Sequence, residues 1–513
     1  MKKLNYILYA IVLLSIFNCK EKEKTIVTSG HNEVDNDIVS TIINDKESFY
    51  HIDFPNYPKK DKSLPIGVFD SGIGGLTVLK AIVAYDENNN GSKTPGSDGV
   101  LDFNNESFIY LADQANMPYG NYSGVQKVDL LKEHIIKDTQ FLMGNKYYSN
   151  QEDTQFNIDK KPVKVIVIAC NTATAYGKEH IEEFIKKAGS DIKIIGVIDA
   201  GVRGVLATMK KDEDGIIGVM ATAGTVGSKG YETTILNLKE QLVFTGNIEV
   251  FSQGGIGIAE AVDEDTDYFN KNLKKPRQDY KGPSLTSATK IDKTLFDIYN
   301  FDFKDSKMLC DTDKADDCSI LQINDPENYV RYHVVTLLEN IRKSKTNNQL
   351  KSIILGCTHY PFLLDEIKVV LNELYHYKGK DGQYLYQKFM AEDIKLVDPA
   401  INTAKELYEY LNEKSLFNVN GNIEDSEFYI SVANQDNKNT KIDADGRFPY
   451  DYKYGRNAGQ IQEYIKNVPF SRNNISEDIL TRLETQIPNV YQLIQGFNSS
   501  NEKVNFLDDK DKI

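Results

Sequence analysis

The sequence is short of positive charge. Its 513 residues hold 60 lysines and arginines against 75 aspartates and glutamates, a formal net charge of −15. A surface of that sign repels phosphate backbones, which argues against a nucleic-acid partner. It says nothing against a small zwitterion, which answers to local charges in its pocket. Cysteine is also scarce: there are five, none spaced Cys-x-x-Cys, so no zinc ribbon can be drawn. The glycine turn at 72–75 has no third glycine at dinucleotide spacing and no Gly-Lys-Ser/Thr after it, which sets aside a nucleotide-binding turn. The apolar run from Leu4 to Phe17 is too short to read as a membrane span.

What that run does fit is export. Lys2 and Lys3 precede it and Asn18-Cys19-Lys20-Glu21-Lys22 follows, the layout of a secretory signal. Ile16-Phe17-Asn18-Cys19 also resembles a bacterial lipoprotein signal, in which Cys19 carries the lipid anchor. A plain signal peptide or an uncleaved anchor remains the alternative, and a cytoplasmic protein follows if the segment is no signal at all. Residues 1–19 are thus a signal segment, and 20–63, polar and without periodicity, read as a tether. In an exported chain, Cys310 and Cys318 in their acidic segment are candidates for a small loop-closing disulfide.

With 40% hydrophobic and 26% charged residues the chain is globular, and long enough for two domains. From Leu64 short apolar runs alternate with helix-like segments. Strands are expected at 65–69, 108–112, 163–169, 194–198, 216–220, 353–355 and 394–397, and a helix at 76–84. Runs so uniformly β-branched suit parallel strands covered on both faces. The expected class is α/β, with two doubly wound parallel-sheet domains and the active site between them. Residues 64–198, joined by 398–470, form the first domain and 199–397 the second. Polar insertions are expected at 86–105 and about 263–328, and a C-terminal extension at 471–513 with a helical pattern over 479–494. The first insertion contains Asp86-x-Asn88-x-Asn90-Gly91, the spacing that opens a calcium loop. Its twelfth position is Ser97 rather than Glu, so a polar turn-rich loop is the alternative.

Five motifs fall at expected strand ends, where open α/β sheets place ligands. Asp70-Ser71-Gly72-Ile73-Gly74-Gly75 lets backbone approach a ligand closely. Asp113 with Pro118-Tyr119-Gly120 is a strand end and turn. Cys170-Asn171-Thr172 presents a thiol near a helix start. Ala221-Thr222-Ala223-Gly224-Thr225 is a second small-residue turn. Gly356-Cys357-Thr358-His359-Tyr360-Pro361 presents a second thiol. A buried structural cysteine is the plainer reading of either thiol alone.

Together, in this order, the motifs closely resemble glutamate racemase, within the aspartate/glutamate racemase family. The resemblance covers roughly 64–411 apart from the insertions. It implies a cofactor-independent enzyme, with no pyridoxal, that removes the α-proton of an acidic amino acid on one face and returns one on the other. Cys170 and Cys357 would be the two acid/base groups, with Asp70 and His359 as their respective helpers. A thiol of reference pKa roughly 8.5 can serve in either form after modest tuning. Ser71, Tyr119, Gly120, Asn171, Thr172, Thr225 and Thr358 match positions that bind the ammonium and carboxylates. A homodimer, and a role in supplying D-glutamate for peptidoglycan, are the family's expectations. The chain departs from the family in its long insertion before Cys357 and in Phe251–Glu260, where Glu260 is a candidate for an assisting glutamate. Asp398-Pro399-Ala400 also stands where a more glycine-rich turn is usual. Two other readings stay open: a racemase of aspartate or another acidic amino acid, and an exported amino-acid-binding protein on a racemase scaffold.

Overall fold

A computed structural model describes residues 34–262, 267–312, 317–444 and 446–513. The lipoprotein-like segment with Cys19 lies outside the described residues. The first element is helix α1 (Val34–Asn44). Ile38, Val39 and Ile42 on it are buried, as are Tyr50, Phe54 and Tyr57 after it, and the Tyr57 hydroxyl donates to the Val163 carbonyl at 2.7 Å. The stretch from Ile38 to Tyr57 therefore packs into the first domain's core rather than forming a tether. Its apolar positions are few, and a polar surrounding hides them in the sequence.

The first domain then runs through β1 (Ile66–Asp70), α2 (Leu76–Val83), β2 (Phe108–Ala112), α3 (Gly120–Gly124), α4 (Val128–Met143), β3 (Val165–Ile168), α5 (Asn171–Lys187) and β4 (Lys193–Gly196). The fourth strand ends at Gly196, and Val197 and Ile198, expected in it, begin helix α6 (Val197–Ala207) with Asp199 in its first turn.

The second domain holds β5 (Gly215–Ala221), α7 (Ala223–Ser228), α8 (Gly230–Gln241), β6 (Ile248–Gly254) and α9 (Ile258–Val262). It continues with α10 (Phe296–Tyr299), β7 (Met308–Cys310), β8 (Leu321–Ile323), α11 (Pro326–Ser344), β9 (Leu350–Gly356), α12 (Leu364–His376) and β10 (Met390–Val397). Strands β7 and β8 make an antiparallel hairpin in the large insertion, with Cys310 and Cys318 disulfide-bonded across it, Cα to Cα 5.6 Å. Leu321, Ile323 and Tyr299 bury themselves in the second domain's core, so the insertion is docked on it.

Helix α13 (Pro399–Glu413) leads back to the first sheet, which gains β11 (Glu427–Ala433) and, past α14 (Tyr450–Gly455), β12 (Ile465–Pro469). The chain closes with α15 (Glu477–Gln486) and α16 (Pro488–Ser500). Pro488 divides the helical pattern at 479–494 into two, because a proline is suited to a helix start but not its interior.

The first sheet has the order β12-β11-β2-β1-β3-β4, parallel except for the β11–β12 pair. The second has the order β10-β9-β5-β6, all parallel. Every residue of β1, β2 and β5 is buried, as strands covered by helices on both faces must be.

Candidate active site

β1 ends in Asp70, and β3 ends just before Cys170. β5 ends at Ala221, and β9 ends at Gly356, one residue before Cys357. These carboxyl-terminal strand ends face each other across a cleft of about 1290 Å³. The residues expected to act on or bind the substrate line it: Asp70, Ser71, Tyr119, Gly120, Cys170, Asn171, Thr172, Thr225, Cys357, Thr358 and His359. Three contacts set the width of the gap. A methyl on Gly224 would stand 2.9 Å from the Gly120 Cα, so two backbones touch there and only glycine allows it. The Tyr231 hydroxyl donates to Asn171 Oδ1 at 2.8 Å, across the domains. Gly74 packs against Thr358 and His359.

On the first-domain wall, Cys170 is the N-cap of α5 and its sulfur accepts the Ala173 N–H at 3.4 Å. The Ser71 hydroxyl lies 3.7 Å from the sulfur. Asp70 Oδ2 accepts N–H groups of Gly75 at 2.8 Å and Gly72 at 3.3 Å, so the glycine turn wraps a buried carboxylate. Burial raises the Asp70 pKa despite those bonds. Burial first, and the Asp70 charge second, push the Cys170 thiol up to about 12. Cys170 is therefore held as a thiol beside the Asp70 carboxyl group.

On the opposite wall, Cys357 Sγ lies 3.7 Å from His359 Nδ1, and the Thr358 hydroxyl 3.5 Å from the same nitrogen. Both cysteines are buried and unbridged. Thr222 caps α7 by accepting the Thr225 N–H and donates its hydroxyl to Thr225 Oγ1 at 3.0 Å.

Tyr119 differs from the expectation in its side chain. Its hydroxyl is buried between Asp113 Oδ2 at 2.5 Å and Asp138 Oδ2 at 2.6 Å, so only the rest of the residue faces the cleft. One hydroxyl hydrogen cannot serve two carboxylates. Asp138, whose pKa burial and then Asp113 raise well above normal, supplies the second proton. Glu260 bonds back to the Gly257 N–H at 2.9 Å and is not among the residues lining the cleft.

Sequence reasoning missed several lining residues. Gln114 and Met117 follow β2, and Gln114 Oε1 is buried without a hydrogen-bond partner among the described residues. Thr481, Arg482, Thr485 and Gln486 come from α15, so the C-terminal extension builds one side of the cleft. No motif marks these positions; only the amphipathic pattern, with Leu480 and Leu483 turned to the core, places them outward.

Two α/β domains thus each present a buried thiol to one cleft, one beside Asp70 and the other beside His359. No protein-family model matches the chain. It is similar to a glutamate racemase of Lactobacillus johnsonii, 28% identical over 353 residues, covering 69% of this chain and 83% of that protein. It is also similar to glutamate racemase 2 of Caldanaerobacter subterraneus, 27% identical over 370 residues, 72% and 88% respectively. Among solved structures, a glutamate racemase from Bacillus anthracis aligns with a TM-score of 0.41 at 23% identity, covering 72% of this chain and 87% of that one.

Proposed function

We propose that the protein racemises glutamate without a cofactor, Cys170 and Cys357 acting on opposite faces of the α-carbon. The observation that carries this reading is the pair of unbridged thiols at facing strand ends, one beside Asp70 and the other beside His359. In one direction the Cys170 thiol passes its proton to Asp70 and the thiolate takes the α-proton. Cys357 then gives its proton to the other face of the carbanion and His359 restores it. In the reverse direction the two sides exchange roles. A substrate ammonium bound near Asp70 and Cys170 offsets the repulsion that holds the thiol protonated. Gln114 Oε1, an acceptor without a partner among the described residues, is suited to that ammonium. Backbone N–H groups of the loops at 71–72, 171–172 and 358–359 are suited to the carboxylates and to charge developing on the α-carboxylate.

The test is proton NMR of the reduced protein with L- or D-glutamate in D₂O, paired with a chiral assay. Loss of the α-proton signal and appearance of the other enantiomer supports the reading. Exchange with aspartate alone keeps the mechanism and changes the substrate, and binding with no exchange favours the binding-protein alternative. Cys170→Ala and Cys357→Ala should each cost roughly 10³-fold or more in turnover with folding intact. Full racemisation by both would exclude the two-thiol mechanism.

We also propose, from the N-terminal sequence, that the protein works outside the cytoplasm, held by a lipid on Cys19. The Cys310–Cys318 disulfide supports an oxidising compartment. Fractionation of cells making the full chain and Cys19→Ser tests this: the protein should move from the membrane to the soluble extract. A homodimer, suggested by the family alone, is checked by light scattering.

A further inference from the structure

Helix α14 and the residue after it lie beyond 411, where the motif resemblance ends, and they carry two cations into the first domain. Among the described residues neither Lys453 nor Arg456 forms an ion pair, and both are directed at one turn, 113–120, between β2 and α3. Arg456 is only 5% exposed. Its guanidinium lies over the rings of Phe448, Tyr452 and Tyr464, at 4.7, 5.2 and 5.0 Å from their centroids, which fixes its direction. Its Nη2 donates to Asn116 Oδ1 at 2.8 Å. The Asn116 amide nitrogen donates in turn to both oxygens of Asp113, each at 3.0 Å. Asp113 also accepts from Ser431 at 2.7 Å and from the Tyr119 hydroxyl. Lys453 Nζ donates to the Met117 carbonyl at 2.5 Å. The Tyr454 hydroxyl donates to the Pro118 carbonyl at 3.3 Å and accepts from the Asn121 amide at 3.2 Å. Residues 116, 117 and 118 are thus each held from behind, while Met117, Pro118, Tyr119 and Gly120 line the cleft in front.

Taking a cation out of water without a carboxylate against it is costly. Burial lowers the Lys453 pKa, and the first charge opposing that effect is Asp113. Asp113, at the root of the turn, therefore answers the field of two cations that reach it only through the turn itself. Docking α14 needs no such charge, because the buried Tyr454 ring already packs edge-on against Tyr122, centroids 4.8 Å apart. The other side of the turn meets the opposite domain, where Gly120 touches Gly224. We propose that Lys453 and Arg456 are positioning residues for the substrate: they hold the 113–120 turn so that its Tyr119-Gly120 backbone meets the amino acid at a fixed depth in the cleft. Neither lines the cleft, and both act through the turn. The proposal rests on the racemase reading of the site.

The test compares full-length wild type with Lys453→Met, Lys453→Arg and Arg456→Lys by racemisation kinetics, isothermal titration with D-glutamate, thermal unfolding and hydrogen–deuterium exchange. Lys453→Met keeps the alkyl stem and loses the donor. It should raise KM and Kd at least roughly tenfold, the worth of one charge-assisted hydrogen bond. Its kcat should change less, because the turn binds the substrate and moves no proton. Lys453→Arg, which can still donate to the Met117 carbonyl, should restore both constants. Arg456→Lys keeps the charge without the planar fork and should raise KM likewise. Amides of 114–122 should exchange faster in Lys453→Met and Arg456→Lys, with those of the sheets unchanged. Lys438→Met, at an exposed position of the same segment, should alter none of these. If Arg456→Lys does not fold, the two Lys453 variants decide. Wild type that binds D-glutamate without racemising it would end the racemase reading, and Kd and exchange would then judge the two residues. A lowered Tm with KM and Kd unchanged in Lys453→Met, a loss of kcat alone, or no rescue by Lys453→Arg overturns the proposal. No binding of D-glutamate to wild type overturns both.

Discussion

At Cys170 the decisive quantity is the proton. Burial and Asp70 hold the thiol near a pKa of about 12, so at neutral pH little thiolate exists for an alkylating reagent. Asp70→Asn removes the negative neighbour and keeps an oxygen for the Gly72 and Gly75 N–H groups. Its Cys170 should therefore be alkylated faster by iodoacetamide at pH 8, read by peptide mass spectrometry, while racemisation falls because the proton acceptor has gone. Slower or unchanged alkylation would show that Asp70 does not set the thiol. A parallel argument applies to Asp138. Its folded pKa is raised, so the folded state keeps a proton that the unfolded chain releases above about pH 4, and wild-type stability from this group falls as pH rises toward its folded pKa. Asp138→Asn does not titrate and its amide can still donate to Tyr119. Denaturant unfolding should show Asp138→Asn gaining on wild type between pH 4 and 7, by up to about 1.4 kcal/mol per pH unit. A constant difference would mean Asp138 is ionised in the fold.

At the scale of elements, the extension is where sequence and structure part most. The strands carrying Asp70, Cys170, Ala221 and Cys357 are legible because each is a short β-branched run ending in a motif. Strand β6 is not, since Ile248-Glu-Val-Phe-Ser-Gln-Gly254 is a half-exposed edge without a continuous apolar run. Helix α1 is missed because its few buried positions sit in polar sequence. Helix α15 is legible as a helix, but which wall its polar face joins depends on packing of residues hundreds of positions away. Thr481 and Thr485 are exposed on that face and line the cleft. Thr481→Phe should raise KM for glutamate several-fold with little change in Tm, because it fills the cleft and leaves Leu480 and Leu483 in place. An unaltered KM would remove α15 from the substrate's path. In the insertion, the disulfide closes a short loop, and Cys310→Ser should cost roughly 2.5 kcal/mol on the chain-entropy account. Chemical denaturation with and without reductant checks it: reductant should lower the wild type to the variant and leave the variant unchanged.

For the whole molecule, catalysis by two thiols requires that two separately built domains hold their sulfurs at one spacing. Nothing in the sequence reveals that spacing, because it is set where the domains touch rather than within either. The contact of Gly120 with Gly224 is one such point, backbone on backbone. A side chain at 224 cannot be absorbed by a rotamer change on the other side, since the neighbour is the Gly120 backbone itself. Gly224→Val should therefore wedge the cleft open while sparing both cores, which lie on the faces of the two sheets rather than at their strand ends. Displacement of reacting groups by about 1 Å can cost roughly 10²-fold in rate. The expected variant retains its secondary structure by circular dichroism, loses kcat by about that factor, and still releases α-deuterium slowly from one enantiomer if one thiol keeps its grip. Smaller loss of kcat than of glutamate affinity would place Gly224 in binding alone, and full activity would show that the two walls move together without this contact.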